Sequence, residues 1–276
     1  MTDVANSEAK LGSAVRSVGG RPASIFAARA AFLAIILLAW QGAVDSGLAN
    51  AAFISTPASV AQSLWHLFRD GEIFPDLGTT VLEIAIAFAL SVVFGIASAV
   101  VLDRNDWLNR IVSPFLTAFN SMPRIALGPL FVLWFGIGIA SKVVLAFSLG
   151  YFIMLLSTLG GLKNVDRDLL LMSRLFGASE LRLFRHVRFP WALPGIFAGL
   201  KLTLIYCSAG AVIGEMIAAK SGLGVLLQSF SGRFDVAGVL ALILIVALLV
   251  MTLTSVMDLV ERRLLEWSRG STDVPG

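Results

Sequence analysis

The chain has 276 residues and a formal net charge of +3; 57% of its residues are hydrophobic and only 14% are charged. Because soluble domains carry about 25% charged residues, this composition excludes an ordinary soluble protein and indicates one that lies in lipid. The single cysteine and two isolated histidines exclude an internal disulfide and give no metal site.

Six apolar stretches follow a polar, weakly basic start, and each is close to the roughly 20 residues that a helix needs to cross a bilayer. Continuous apolar runs of this length can span only as helices. The predicted fold class is therefore an all-α integral membrane protein with six transmembrane helices. The predicted spans are 26–44, 79–102, 111–138, 141–160, 195–218 and 236–259, in one domain at 26–260 flanked by tails at 1–25 and 261–276.

The distribution of basic residues predicts the orientation of the spans. If the N-terminus is cytoplasmic, most of the 21 Lys and Arg residues fall in cytoplasmic segments. This bias follows the positive-inside rule, so both termini are predicted to be cytoplasmic. The 1–25 segment is expected to be a flexible cytoplasmic tail.

The third span is the least regular, because polar residues and two prolines interrupt it around Arg124. Non-helical backbone at membrane depth is tolerated only against protein or a water-filled cavity. Two other charged residues, Glu83 and Lys201, lie toward the ends of their spans, and we expect them to reach the interface by snorkelling.

The longest cytoplasmic segment, 161–194, lies between the fourth and fifth spans. Its apolar residues recur at helical spacing on both sides of Gly177. Because glycine breaks helices and proline cannot continue them, we expect a helix, a turn at Gly177 and a second short helix that ends at Pro190 and Pro194. The basic residues interleaved in the second piece are Arg182, Arg185, His186 and Arg188.

Two interpretations of this basic, half-apolar segment are open on physical grounds. It is either an interfacial helix whose basic face contacts anionic lipid, or a helix that lies in the groove of a cytoplasmic partner.

A family resemblance favours the partner. Gly177-Ala178-Ser179, followed by Pro190 and Pro194, resembles the cytoplasmic EAA loop of ABC-importer permeases, although Leu171-Met172-Ser173 stand where that family often has Glu-Ala-Ala. Two more stretches are similar to the subgroup that imports sulfonates, taurine, nitrate and related compounds. They are PRIALGPLFVLWFGIG at 123–138 and GEMIAAKSGLG at 214–224.

The resemblance implies that the 161–194 loop forms coupling helices that dock on an ATP-hydrolysing subunit. The docking residues it implies are Arg174, Gly177, Ala178, Arg182, Arg185, His186, Pro190 and Pro194. The chain has no G-x-x-x-x-G-K-[ST] phosphate loop. We therefore expect this chain to have no catalytic residue and to bind no cofactor. We expect ATP and Mg to be bound by the partner ATPase subunit.

The resemblance also implies a mechanism and its partners. Two permease copies, as a homodimer, bind two ATP-binding subunits and an extracytoplasmic substrate-binding protein in the bacterial inner membrane. The assembly moves a small solute inward by alternating access, with lipid contacts and no nucleic acid. The residues predicted to line or gate its pathway are Asn120, Ser121, Arg124, Tyr206, Ser208 and Glu215.

A second function remains open at this point, namely a proton- or ion-coupled secondary transporter. Such a carrier predicts paired inverted repeats and ionisable residues near the membrane midplane. The acidic residues of this chain lie instead toward the ends of the spans.

Overall fold

The computed structural model describes residues 22–48, 50–71 and 73–264, and every regular element in these ranges is helical. Most of the predicted N-terminal tail and residues 265–276 of the C-terminal tail lie outside the described residues. The chain divides into two compact units, residues 1–63 and 64–276.

The first unit contains one long helix, α1 (Pro22–Asp45), and a short one, α2 (Ala51–Ile54). Helix α3 (Pro57–Arg69) begins in this unit and ends in the second. Because α1 is apolar on all sides rather than along one stripe, it has the character of a lipid-embedded helix. It is long and apolar enough to cross a bilayer.

The second unit is a helical bundle. Its helices are α4 (Ile73–Arg104), α5 (Asp106–Ser121), α6 (Gly128–Phe135), α7 (Ile139–Lys163), α8 (Arg167–Leu175), α9 (Glu180–Leu183), α10 (Phe189–Ile217), α11 (Leu223–Gly232) and α12 (Val236–Leu264). Helices α4, α7, α10 and α12 can each cross a bilayer, and α5 with α6 forms a bent pair that can do so together. With α1 this gives six spans, so the predicted fold class is confirmed.

Helix α7 lies at the centre of the bundle, packed between α4 and α10. Small residues allow the close approach. A β-carbon on Gly150 of α7 would lie 2.5 Å from Cys207 Sγ, and one on Gly210 of α10 would lie 2.6 Å from the Cα atom of Ala146. Such contacts replace hydrophobic burial as the source of helix association in lipid.

The predicted third span at 111–138 is a bent pair of helices, and the bend lies where the irregular backbone around Arg124 was expected. The axes on the two sides of the break differ by 80°. Pro123 has no N–H to donate and holds Met122 in an extended conformation at φ −72° and ψ 136°. A single 3₁₀ turn, Arg124–Leu127, then leads into α6.

The expectation that Pro190 and Pro194 end the second helical piece was wrong. A π-helical turn, Phe184–Arg188, joins α9 directly to α10, and the N–H of Phe189 bonds to the carbonyl of Phe184. The wider turn leads into Pro190 in the first turn of α10, where a missing N–H costs little. The final helix likewise continues to Leu264, beyond the predicted domain boundary at 260.

Candidate functional site

The segment between α7 and α10 folds as two short helices around Gly177, as predicted. Gly177 has φ +79°, a left-handed conformation that glycine adopts without strain. Its N–H bonds to the carbonyl of Arg174 at 2.9 Å, and the N–H of Ala178 bonds to that of Ser173 at 3.1 Å. This is a Schellman ending, after which Ser179 caps α9.

Apolar side chains point away from the protein on both short helices. Phe176 is 85% exposed and Leu175 is 78% exposed. The full set, which we call the α8–α9 surface, is Leu171, Met172, Leu175, Phe176 and Leu181. A cluster of exposed large apolar side chains outside a spanning helix marks an interaction site.

Four of the eight predicted docking residues lie in this helix–turn–helix, and Arg185 and His186 lie in the π turn that follows it. Arg182, Arg185 and His186 are exposed. Arg174 forms an exposed ion pair with Glu180 at 3.1 Å across the turn. Gly177 and Ala178 form the turn itself, and the remaining two, Pro190 and Pro194, belong to α10. A groove of about 420 Å³ opens between the helices, lined by Ser173, Phe176, Ala178, Arg182, Leu183, His186 and Val187.

The π turn Phe184–Arg188, which follows α9, contacts the end of α4 through two side chains. Arg188 donates to Asp103 Oδ2 at 2.8 Å, and the Asp103 side chain is buried. The guanidinium of Arg104 lies 4.7 Å from the centre of the Phe184 ring. Sequence reasoning missed Asp103 and Arg104, because their partners lie about eighty positions further along the chain.

Arg124 lies at the break in the third span, against the middle of α7. Its Nη1 donates to the Ser148 carbonyl at 2.6 Å and its Nη2 to Asn120 Oδ1 at 3.0 Å. The ring of Phe152 covers the guanidinium at 4.9 Å. One predicted pathway residue, Asn120, is thus bonded to Arg124, and another, Tyr206, is 47% exposed on α10.

The other predicted pathway residues lie elsewhere. Ser121 is exposed and donates to the Thr117 carbonyl. Ser208 is buried and donates to the Leu204 carbonyl. Glu215 is buried at the opposite end of α10 from the docking segment. In this structure neither Ser208 nor Glu215 faces an open space.

Glu215 belongs to a closed polar network. It accepts from Thr80 Oγ1 at 2.7 Å and from the N–H of Gly224 at 2.7 Å. Beside it, Lys142 Nζ lies 2.6 Å from Glu83 Oε1, and both side chains are buried. The expectation that Glu83 reaches the interface by snorkelling was therefore wrong, because a cation on α7 neutralises it inside the bundle.

The network also fixes the turn before α11, a helix that the sequence analysis did not predict. The N–H of Gly222 donates to Asp76 Oδ1 at 2.6 Å, and that of Leu223 donates to Thr80 Oγ1 at 2.9 Å. Gly222 has φ +123°, which other residues rarely adopt. The GEMIAAKSGLG stretch thus runs from the end of α10 through a turn into α11, and side chains of α4 and α10 hold that turn.

Lys201, which was expected to reach the interface, forms ion pairs with Asp258 and Glu261 of α12, and all three side chains are partly exposed. These two contacts tie α10 to the last helix.

Comparisons with known proteins agree with this architecture. The chain is 31% identical over 235 residues to the riboflavin transport system permease protein RibX of Chloroflexus aurantiacus, covering 85% of this chain and 88% of RibX. It is 29% identical over 240 residues to the taurine transport system permease protein TauC of Escherichia coli, covering 85% and 87%. A chain from an inward-facing structure of the MetNI methionine ABC transporter has the same fold, with a TM-score of 0.61 at 22% identity, covering 72% of this chain and 96% of that one.

The family match extends over residues 91–266, from the middle of α4 past the end of α12, and includes the α8–α9 surface and Arg124. It confirms the predicted resemblance and does not favour the secondary transporter. The chain belongs to the family of inner membrane components of binding-protein-dependent transport systems.

Proposed function

We propose that this chain is the permease subunit of an ABC importer and that a separate ATP-hydrolysing subunit binds the α8–α9 surface. The observation that carries the proposal is the exposure of that surface, in which Phe176 and Leu175 leave most of their area uncovered. Burying each such side chain on a partner is worth about 1.5–3 kcal/mol. The basic residues beside it favour a partner with acidic groups at the rim.

The packing of this segment suggests how the partner would move the bundle. The π turn Phe184–Arg188 makes the docking helices continuous with α10. The Arg188–Asp103 ion pair links them to α4 as well. A displacement at the α8–α9 surface would therefore reach both helices that pack on α7, which is a route for alternating access driven by ATP.

The assembly would contain two copies of this permease as a homodimer, two ATPase subunits and an extracytoplasmic binding protein, in a bacterial inner membrane with both chain termini cytoplasmic. ATP and Mg would be bound by the ATPase subunits. The solute would be a small organic compound or ion such as a sulfonate, taurine or nitrate. The similarity to TauC supports this class.

Co-purification tests the proposal. A tagged chain, extracted from native membranes in mild detergent, should retain a roughly stoichiometric protein with a phosphate-loop ATPase sequence. Replacing Arg182 and Arg185 with Glu should remove that protein while the permease remains folded. Recovery of the folded wild-type chain without any ATPase would contradict the proposal.

A variant of the turn tests coupling separately. Gly177→Pro cannot adopt φ +79° and loses the N–H that bonds to Arg174, so the angle between α8 and α9 must change. We expect ATP hydrolysis to persist while uptake falls at least about tenfold. Gly160→Ala is the matched control, because Gly160 is helical with open space around it. Normal uptake by Gly177→Pro would count against coupling through this turn.

A further inference from the structure

We infer that Arg124, with Asn120 bonded to it, binds the anionic group of the transported solute. The inference rests on the proposed function, and it narrows the solute class to compounds with a sulfonate, carboxylate or similar negative group. The argument comes from charge balance at membrane depth.

Arg124 differs from three other cations that lie in or beside the spans. Lys142 pairs with Glu83, Lys201 with Asp258 and Glu261, and Arg188 with Asp103. Among the described residues, no carboxylate lies within salt-bridge distance of Arg124. An unpaired charge in a span costs about 2.5–3.5 kcal/mol, so it calls for a counterion or water.

The depth of Arg124 in the span excludes lipid headgroups at the membrane interface as its counterion. Its carbonyl partner, Ser148, lies nine positions after the start of α7, about 14 Å along a helix of 25 residues. Lipid headgroups lie at the ends of such a helix. The counterion therefore arrives through the protein.

The guanidinium has donors to spare. It carries five N–H groups, and its protein acceptors are the Ser148 carbonyl, Asn120 Oδ1 and, at 3.5 Å, the Leu149 carbonyl. At least two N–H groups remain, which suits the paired oxygens of a sulfonate or carboxylate.

The guanidinium is only partly buried, and its polar side-chain neighbour is exposed. Asn120, which bonds to Arg124, is exposed, so an amide lies next to the cation at an accessible surface. The bonds to α7 and the Phe152 ring hold the guanidinium in place. An anion would meet a pre-positioned cation with one neutral hydrogen-bonding group beside it.

A pair of ligands of the same shape tests the charge requirement. The intact transporter, with its co-purified ATPase, is placed in lipid nanodiscs and titrated calorimetrically with ethanesulfonate or with uncharged ethyl methyl sulfone. We expect ethanesulfonate to bind at least about tenfold more tightly. Equal binding of the two ligands would overturn the inference.

Variants assign the effect to Arg124. Arg124→Gln keeps a donor for the Ser148 carbonyl and should abolish the preference for the anion, while Arg124→Lys should keep part of it. The matched control is Arg233→Gln, because Arg233 also lies over a ring, Phe230, and donates to Ser229. If Arg124→Gln does not fold, the inference is tested by comparing the affinities of the two ligands for the wild-type protein and for Arg124→Lys.

Two further results would overturn the inference. The first is a preference for ethanesulfonate that Arg124→Gln retains. The second is that Arg124 is occupied by anionic lipid, in which case ethanesulfonate would not bind and the lipid composition of the nanodisc would matter instead. ATP-driven uptake with no role for Arg124 would refute only this inference. Absence of an ATPase from the complex would refute the proposed function instead.

Discussion

Two polar sites in one bundle show opposite solutions to the cost of charge in lipid. In the closed network, Glu83 faces Lys142, and Glu215 accepts from Thr80 and from a backbone N–H. At the broken span, Arg124 has only neutral partners and an accessible side. The carboxylates of the first site find a cation or hydrogen-bond donors within the chain, whereas the second site lacks an anion.

The contrast shows which in-span charges indicate function. A buried charge is equally conspicuous in sequence whether it is paired or not. A pair such as Glu83–Lys142 holds helices together, and removing one partner leaves an uncompensated charge. A charged residue in a span is therefore structural in this protein where another group of the chain neutralises its charge, and functional where none does.

Breaking the buried pair should have the largest effect. Lys142→Met leaves the Glu83 carboxylate buried without its cation, which should destabilise the protein by about 3–5 kcal/mol. Thermal unfolding of the purified protein in detergent measures the loss. The double variant Glu83→Gln with Lys142→Met should recover much of it, and a stable single variant would contradict the pairing.

A change in the turn before α11 should cause the second largest loss of stability. In Gly222→Ala the new β-carbon would collide with the Glu215 carboxylate, at a backbone φ of +123°. We expect a loss of about 2 kcal/mol in the free energy of unfolding. Gly232→Ala, which meets nothing within 4 Å, is the control. Equal stability of the two variants would show that the network does not fix this turn.

A pair with one buried and one partly exposed member should give a smaller effect. The Asp103 side chain is buried while that of Arg188 is partly exposed, so Asp103→Asn should cost about 1.5 kcal/mol. A double-mutant cycle with Arg188→Gln should return a coupling energy of similar size. Additive single effects would mean that this link between the docking helices and α4 is unimportant for stability.

The exposed pair across the Gly177 turn should matter least. Both Arg174 and Glu180 are more than half exposed, so Glu180→Gln should change the free energy of unfolding by about 0.5 kcal/mol or less. Thermal unfolding at low and high salt measures it. A loss as large as that of Asp103→Asn would show that exposure does not rank these pairs.

The sequence predicted what depends on local pattern. Apolar runs located the spans, and Gly177 located the turn because only a left-handed residue closes the Schellman motif there. It could not reveal pairs between distant positions, such as Glu83 with Lys142. It indicated irregular backbone around Pro123 but not the 80° bend, and it placed a helix end at Pro190, which instead follows a π turn into α10.

The claim that an ATPase covers the α8–α9 surface can be tested directly by site-specific photocrosslinking in native membranes. Phe176 and Phe234 are 85% and 87% exposed, and each is replaced in turn by p-benzoylphenylalanine. The account predicts that position 176 captures a protein with a phosphate-loop ATPase sequence and that position 234, in the turn after α11, does not. Capture of lipid alone at position 176, or of the ATPase equally at both positions, would contradict it.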